Sequence, residues 1–465
     1  MESLIHLKIL KKHCSLQRRN RRKLRFMELP FILRQIFLKN VHSLFRCVKM
    51  KEKSREEHEM KKVTFIHAAD LHLDSPMVGL KHLPKNIFHK LHESTFESFT
   101  KIIDTAILKR VDFVIIAGDL YDASDRSIRA QVRFRKQMER LAEKNIAVYA
   151  VHGNHDHMQG NWAHLPMPEN VHIFHHEPEM MEFKNDGTTV HLYGFSYPKR
   201  HVQIRMIDDY KKVHGADMHI GILHGHFEGS SDHGKYAPFR LADLIEKEFD
   251  YWALGHIHKR SQLSNDPPII YPGNIQGRNR KETGRKGCYY VEWTEHETVF
   301  EFIETQSVIW EELVVDVSSA NSFHDVLTEC SRKKEEIRMD DKGMLVHLVL
   351  NNISLLPIEL KGITDGELLD ILQDEEKDEQ SFVWISEITC LEKREWDRTE
   401  LGKESEFFGE LFRLSEQLEP LKESLSPLYS HPLARKFIEG VSEEELKKIA
   451  SSAEDLLVGL LYKNE

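Results

Sequence analysis

The chain has 465 residues, enough for two or three domains, and 40% of them are hydrophobic while 30% are charged. This composition is typical of a globular protein, and no apolar stretch is long enough to suggest integral membrane association. The five cysteines are scattered and form no CxxC pair, which argues against a disulfide framework and predicts a cytoplasmic protein.

Charge is distributed unevenly along the chain. Residues 1–59 hold 16 Lys and Arg against 6 Asp and Glu, whereas residues 60–465 hold 49 against 69. Because contacts to phosphates need local positive charge, so acidic a body is not expected to bind nucleic acid unaided. A DNA substrate would require a local basic path or a partner subunit.

Four segments are expected along the chain. Residues 1–59 are predicted to be a basic leader that is either disordered or a misassigned start, with a basic targeting helix over 28–50 as the alternative. Residues 60–306 are predicted to form the main domain. A smaller α+β domain is expected over 307–396 and a helical region over 397–465.

Short apolar strands alternate with amphipathic helices in the main domain. Strands are predicted at Val63–Ala69, Val111–Ala117 and Ile146–Val151. Helices are predicted near 86–109 and 127–144, and this alternation predicts an α/β fold with central sheets flanked by helices. Further strands are predicted near 189–195, 217–223, 251–254, 268–272, 287–293 and 297–304.

The later segments follow a different pattern. Strands and helices again alternate after residue 308, and the chain is predicted to be helical from about 403, with breaks near Ser426-Pro427 and His431-Pro432. The elements predicted after 308 are strands at Leu313–Val317, Met344–Asn351 and Phe382–Leu391 and helices at 322–338 and 365–373.

Polar motifs follow five of the predicted strands, at the point where each strand ends. Ligands of α/β folds bind at the carboxyl ends of the strands, so we expect these side chains to converge there. In Asp70-Leu71-His72 and in His256-Ile257-His258 the two polar residues are two positions apart, so both lie on one side of an extended chain. The motifs are Asp70-Leu71-His72, Gly118-Asp119-Leu120-Tyr121-Asp122, Gly153-Asn154-His155-Asp156, His224-Gly225-His226 and Gly255-His256-Ile257-His258.

The motifs supply carboxylate, amide and imidazole groups but no thiolate. Such a set suits two divalent ions such as manganese, iron or zinc. Two ions about 3.5–4 Å apart can hold both the attacking and the leaving oxygen of a phosphoester. Any one motif alone could be a turn or an ordinary strand alternation, but five in this order favour a metal site.

Taken together, the motifs resemble those of the calcineurin-like metallophosphoesterase superfamily. Within it, the chain is similar to the DNA-repair exonuclease branch with its SbcD-like nucleases, and in particular to the YhaO-type proteins of Gram-positive bacteria. The resemblance implies a metallophosphoesterase layered sandwich with a smaller α+β capping domain and a helical C-terminal tail. The motifs that indicate the DNA-repair exonuclease branch are Ala68-Ala69-Asp70-Leu71-His72-Leu73-Asp74, Gly118-Asp119-Leu120-Tyr121-Asp122 and Tyr271-Pro272-Gly273-Asn274.

The resemblance also implies the role of each polar residue. Asp119 would bridge two divalent metal ions, with Mn²⁺ (manganese) preferred and Fe²⁺ or Zn²⁺ as alternatives. His155 would act as the general acid or stabilise the transition state, and Asp156 would orient it by accepting its other N–H. The ligands of one ion would be Asp70, His72 and His258, and those of the other Asn154, His224 and His256.

A basic loop follows the last of these motifs along the chain. Arg278, Arg280, Lys281 and Arg285 concentrate positive charge in an otherwise acidic body. We expect them to contact DNA phosphates near the metal ions. The alternative is an ordinary solvated hairpin.

The resemblance implies a DNA exonuclease or endonuclease of DNA repair. An SbcC-type coiled-coil ATPase would dock on the helices after about 403, and a homodimer is a further expectation. Asp122 stands where some family nucleases carry a second histidine, which leaves the choice between exonuclease and endonuclease open. Because one fold hosts many functions, two alternatives stay open: a phosphoesterase for a small molecule or a protein, and a non-catalytic subunit of a repair complex.

Overall fold

The computed structural model describes residues 61–75, 83–122, 127–160, 165–185, 187–228, 236–353, 365–376, 381–391, 397–430 and 441–461. The predicted leader and the predicted break at His431-Pro432 lie outside these residues. Contacts divide the chain into a large unit, 63–293 with 298–465, and a small one that includes 61–62 and 294–297.

Fifteen strands and nine helices are assigned in the described residues. The strands are β1 (Lys62–Ala68), β2 (Phe113–Ala117), β3 (Ala147–Val151), β4 (Val171–Ile173), β5 (Glu179–Asn185), β6 (Thr188–Gly194), β7 (Met218–His224), β8 (Tyr251–Gly255), β9 (Ser261–Asn265), β10 (Pro268–Tyr271), β11 (Gly287–Thr294), β12 (Thr298–Glu304), β13 (Val308–Asp316), β14 (Gly343–Asn351) and β15 (Val383–Leu391). The helices are α1 (Lys85–Lys109), α2 (Ile128–Ala142), α3 (Leu241–Glu246), α4 (Phe323–Ile337), α5 (Asp365–Asp374), α6 (Arg398–Glu404), α7 (Glu406–Ser415), α8 (Leu418–Ser430) and α9 (Glu443–Leu461).

Two six-stranded sheets form the centre of the large unit, in the orders β12-β11-β1-β2-β3-β4 and β5-β6-β7-β8-β10-β9. The strands β1 to β4 pair in parallel, as do β6, β7, β8 and β10. Phe65 and Phe113 of the first sheet and Ile220 and Tyr251 of the second are fully buried in one apolar cluster. The predicted layered α/β fold is confirmed. It could be predicted because strands that are buried on both faces appear in the sequence as continuous apolar runs.

Helices cover the outer face of the first sheet. Phe99 of α1 and Phe134 of α2 stack on each other with ring centroids 5.5 Å apart and pack against Val114 of β2. No helix in the described ranges is both long and apolar enough to cross a membrane.

Three strands, β4, β5 and β9, were not predicted from the sequence. All three lie at the edges of their sheets, and β9, for example, reads Ser-Gln-Leu-Ser-Asn. Edge strands carry polar side chains that blur the apolar pattern. The predicted break near Ser426-Pro427 is wrong, since α8 continues to Ser430. Proline lacks the N–H of the helix ladder, but its fixed φ is compatible with a helical backbone.

The sheet β13-β14-β15 with helices α4 and α5 forms a smaller layer, which we call the cap. Its strands are all parallel, and Leu348 and Leu372 lie in its own apolar core. Trp310 and Trp384 of the cap pack in a separate cluster with Leu91 of α1. The cap therefore has one core of its own and a second apolar contact with the main body.

Helices α6 to α9 form the tail. Leu401, Phe408 and Phe412 are buried together with Val458 of α9. Phe407 remains 60% exposed. Most of the apolar face of α7 is thus used within the tail.

The junction between the main body and the cap is fixed by one buried amide side chain. Gln276 Oε1 accepts hydrogen bonds from the backbone N–H groups of Ser307 (3.0 Å) and Val308 (3.3 Å) and from Ser98 Oγ (3.2 Å). Its Nε2 donates to the carbonyls of Gly277 (2.9 Å) and Val308 (2.6 Å). Because all these groups are buried, water cannot replace the amide.

We expect Gln276→Ala to lower the free energy of unfolding by at least about 2 kcal/mol, because each orphaned buried group costs about 1–3 kcal/mol. Thermal and urea unfolding of the full chain would measure the change. The matched control is Gln262→Ala, whose side chain is exposed on the edge strand β9. Equal unfolding midpoints for the two variants would contradict this role of Gln276.

Candidate metal centre

The ends of five strands meet at one rim, as the motifs predict. β1, β2, β3, β7 and β8 all carry their polar motifs at their carboxyl ends. Parallel pairing of β1 with β2 and of β2 with β3 brings three of these ends together in one sheet, and β7 with β8 brings the other two together. The structure thereby clusters all seven predicted ligands: Asp70, His72, Asp119, Asn154, His224, His256 and His258.

Four ligand atoms form the first half of the cluster. The ligand atoms of Asp70, His72, Asp119 and His258 all lie within 4.8 Å of one another. His72 Nε2 is 3.2 Å from His258 Nε2 and 3.6 Å from Asp119 Oδ2. Since His258 Nδ1 donates to Glu282 Oε1 over 2.8 Å, its Nε2 presents a lone pair to the cluster. Converging imidazole lone pairs and carboxylates fit a divalent cation.

The second half is built around the amide oxygen of Asn154. His224 Nδ1 donates to the carbonyl of Ala117 over 3.0 Å, so its Nε2 is the atom that faces the cluster. That Nε2 lies 3.0 Å from Asn154 Oδ1 and 3.4 Å from Asp119 Oδ2. His256 Nδ1 lies 3.2 Å from the same Asn154 oxygen. These four groups can hold a second cation, and Asp119 faces both halves.

The electrostatics of the cluster favour cations. Burial would raise the pKa of the Asp119 carboxyl, but the neighbouring His224 and His72 hold it well below its usual range. Burial would lower the pKa of His224, yet the carboxylates of Asp119 and Asp70 raise it to about 9. The His224 shift reflects the negative potential of two buried carboxylates, and the same potential would stabilise a divalent ion in a site shielded from water.

The backbone around the cluster is strained. Left-handed φ angles are uncommon outside glycine and collect at functional sites. Gly118 has a positive φ of 92°, and a Cβ at this position would collide with the imidazole of His224. A Cβ at Gly153 would collide with the carboxylate of Asp119. Positive φ angles are found at Asp70 (51°), His72 (41°), Asp119 (50°) and His256 (98°).

His155 lies beside the cluster, with its ring centroid 4.9 Å from that of His72. Its Nδ1 donates to Asp122 Oδ1 over 2.8 Å. Burial would lower the pKa of His155, but this bond and the charges of Asp122 and Asp119 raise it. The raised pKa favours the protonated imidazole, the form in which Nε2–H is a proton donor.

The predicted contact between Asp156 and His155 is wrong. Asp156 is fully buried, and its carboxylate accepts hydrogen bonds from the backbone N–H groups of Gly153 (2.6 Å) and Leu120 (2.9 Å). His152 Nδ1 lies 3.1 Å from the same carboxylate. Asp156 closes the tight turn that carries His155, and the orienting carboxylate is Asp122 instead.

The predicted DNA-contacting loop is divided between the site and the surface. Arg278 is only 13% exposed and lies 3.0 Å from Glu282 Oε1 and 3.3 Å from Asp122 Oδ2. It thus brings positive charge to the edge of the metal cluster. Glu282 was not predicted to belong to the site. The local sequence offers one indication, a carboxylate four residues after Arg278 within a basic loop.

The other three predicted DNA contacts are exposed and face carboxylates. Arg280 lies 2.8 Å from Glu387 of β15, Lys281 lies 3.0 Å from Glu445 of α9, and Arg285 lies 3.6 Å from Glu304. Exposed ion pairs contribute about 0–1 kcal/mol, so phosphates can compete for these side chains.

Comparison with known proteins agrees with this site. Residues 63–260 match the calcineurin-like phosphoesterase family. The metallophosphoesterase YhaO of Bacillus subtilis (strain 168) is 42% identical over 85% of this chain and 97% of its own length. The DNA double-strand break repair protein Mre11 of Thermoplasma acidophilum is 25% identical over 61% of this chain and 76% of its own. That of Methanocaldococcus jannaschii is 26% identical over 58% and 74%. With a relative this similar along nearly its whole length, the chain belongs to the calcineurin-like metallophosphoesterase family.

Proposed function

We propose that the chain is a dinuclear-metal phosphodiesterase that cleaves DNA as an exonuclease or endonuclease in DNA repair. The observation that carries this proposal is the convergence of seven side chains that are able to ligate metal, beside His155, whose pKa is raised. Manganese is the ion we propose, since a mixed oxygen and nitrogen set suits it, with iron or zinc as alternatives.

Each group of the site has a part in phosphodiester hydrolysis. Two divalent ions, when bound, would lower the pKa of a water and balance the charge of the phosphoryl group. Asp122 fixes the His155 ring and favours its protonated form, from which Nε2 would give its proton to the leaving oxygen. The buried Arg278 guanidinium adds fixed positive charge on the same side, where a phosphate would lie.

Three observations support DNA as the substrate. Two of the relatives named above are DNA double-strand break repair proteins by name. The loop cations Arg280 and Lys281 are exposed, and their ion pairs join the loop to the cap and the tail. A phosphoesterase for a small molecule or a protein would use the same metal centre, and it stays as the alternative.

The cap and tail suggest a multisubunit enzyme. We propose that the capping domain (307–396) shapes access to the site and that the tail (397–465) docks an SbcC-type coiled-coil ATPase in the cytoplasm. Phe407 and Leu414 of α7, 60% and 49% exposed, support such docking. An ATPase partner would also supply the attraction for DNA that an acidic chain lacks. A homodimer is compatible with the same arrangement.

His155→Ala should abolish catalysis without loss of metal. We expect cleavage of end-labelled duplex DNA and of an aryl phosphodiester, both with manganese, to fall at least about 100-fold, because general acids contribute about 10²–10⁴. The bound metal should be unchanged by elemental analysis. His175→Ala, at an exposed position, is the control. Unchanged hydrolysis in His155→Ala would refute its role as proton donor, and hydrolysis in neither protein would favour a non-catalytic subunit.

Glu282→Gln should weaken metal binding. Without the negative charge, the hydrogen bond that fixes the His258 Nδ1–H is weaker, and changes to such supporting groups reduce metal affinity by about 10–100-fold. Titration of metal-free protein with Mn²⁺ would measure the affinity directly. Glu177→Gln, whose side chain is 86% exposed, provides the matched control. Equal manganese affinities for the two variants would show that Glu282 does not support His258.

The double variant Arg280→Ala/Lys281→Ala separates the two candidate substrates. We expect weaker binding of duplex DNA and a salt dependence reduced by about 2 in slope, because about one counterion is released for each phosphate contact. Hydrolysis of the aryl phosphodiester should not change. If DNA affinity and its salt dependence stayed as in the unmodified chain, these side chains would not be DNA contacts.

A further inference from the structure

A cavity of about 490 Å³ lies between α1, α2 and the junction with the cap. Phe96 and Phe99, both buried, form its apolar part. None of the seven proposed metal ligands is among the residues that line it. Its volume falls within the range of small-molecule sites, about 300–1,000 Å³.

Part of the charge in this cavity is already neutralised. Arg133 forms an ion pair with Glu93 and lies over the Phe96 ring, 4.3 Å from its centroid. Lys90 lies 3.1 Å from Glu97. These four charged residues neutralise one another. The remaining lining residues therefore determine which ligand can bind.

Two ammonium groups are left in the cavity without a carboxylate partner in the described residues. Lys101 Nζ reaches only the carbonyl of Gln306, at 3.5 Å. Partial burial and the nearby Lys342 lower the pKa of Lys101, and the carboxylates of Glu97 and Glu304 offset this shift only in part. Lys136 lies opposite on α2, and Asp341 is the one lining carboxylate among the described residues that has no ion pair. The balance favours an anion.

A buried hydroxyl lies in the same wall. Ser307 is 1% exposed, and its Oγ makes no hydrogen bond to the described part of the chain. Its backbone is fixed by the hydrogen bond to Gln276. A buried polar group without a partner costs about 1–3 kcal/mol, and an oxygen of a bound ligand would remove that cost.

We propose that this cavity is a binding site for a small phosphomonoester of nucleotide size. The phosphate lies between Lys101 and Lys136 and accepts a hydrogen bond from the Ser307 hydroxyl. The flat part of the ligand packs beside Phe96, and Asp341 accepts a hydrogen bond from an amino group of the ligand. Because the site is separate from the metal centre, it does not depend on the proposed nuclease reaction.

The ligand would connect two parts of the fold. Lys101 belongs to α1, whereas Ser307 is the last residue before β13 of the cap. A phosphate that contacts both would add a further link across the junction, and binding should raise the thermal midpoint of the chain because ligands stabilise the state they bind.

Calorimetric titration of the metal-free full chain with dAMP, adenosine and inorganic phosphate tests the proposal. Removal of metal silences phosphate binding at the metal centre. We expect dAMP to bind at least about tenfold more tightly than adenosine, since a charge-assisted hydrogen bond contributes about 1.5–3 kcal/mol. Lys101→Met and Lys136→Met should each weaken dAMP binding about tenfold, and Lys211→Met, at an exposed control position, should not.

Ser307→Ala distinguishes a ligand contact from a structural role. The hydroxyl has no partner in the chain, so its removal should leave the thermal midpoint of the free protein unchanged or higher while dAMP affinity falls severalfold. Three results would overturn the proposal: no heat of binding at millimolar dAMP, equal affinities for dAMP and adenosine, or dAMP affinity unaffected by both lysine variants.

Discussion

The buried carboxylate of Asp119 is the constraint around which the site is built. Its side chain is 1% exposed, and a charge so far from water must be compensated by its neighbours. His72 and His224 face Oδ2 from opposite halves at 3.6 and 3.4 Å, and the backbone N–H of His155 donates to Oδ1 over 2.9 Å. One side chain thus links the two sheets, the two halves of the candidate metal cluster and His155.

The part of this arrangement that depends on strand order could be predicted from the sequence. Polar residues at the carboxyl ends of parallel buried strands lie on one rim, whichever loops connect them, and this brought all seven predicted ligands together. The partner of His155 could not be predicted in the same way. Asp156 is adjacent in sequence, but the tight turn directs its carboxylate to backbone N–H groups, and Asp122 approaches from another strand end. Edge strands such as β9 also could not be predicted, because their polar side chains obscure the two-residue alternation of apolar positions.

The loop 277–286 shows why charge in a sequence does not reveal its use. Arg278 and Arg280 are two residues apart, yet one is 13% and the other 65% exposed. Burial makes the first part of a fixed network, since Glu282 binds Arg278 and His258 at once. Exposure leaves the second in a weak ion pair that solvent and salt can exchange. A basic loop therefore divides into an internal support for the metal centre and an external surface.

The same reasoning explains why the boundary between the main body and the cap is not a flexible linker. Asn274 Nδ2 donates to Glu282 Oε2 over 2.8 Å and to the carbonyl of Gln276 over 2.7 Å, and Gln276 in turn holds Ser307. These groups are buried, so each bond would have to break without replacement by water before the cap could swing away. A continuous hydrogen-bonded path runs from His258 through Glu282, Asn274 and Gln276 to the first strand of the cap. A ligand bound at the junction would therefore contact the same hydrogen-bonded network that supports the candidate metal centre.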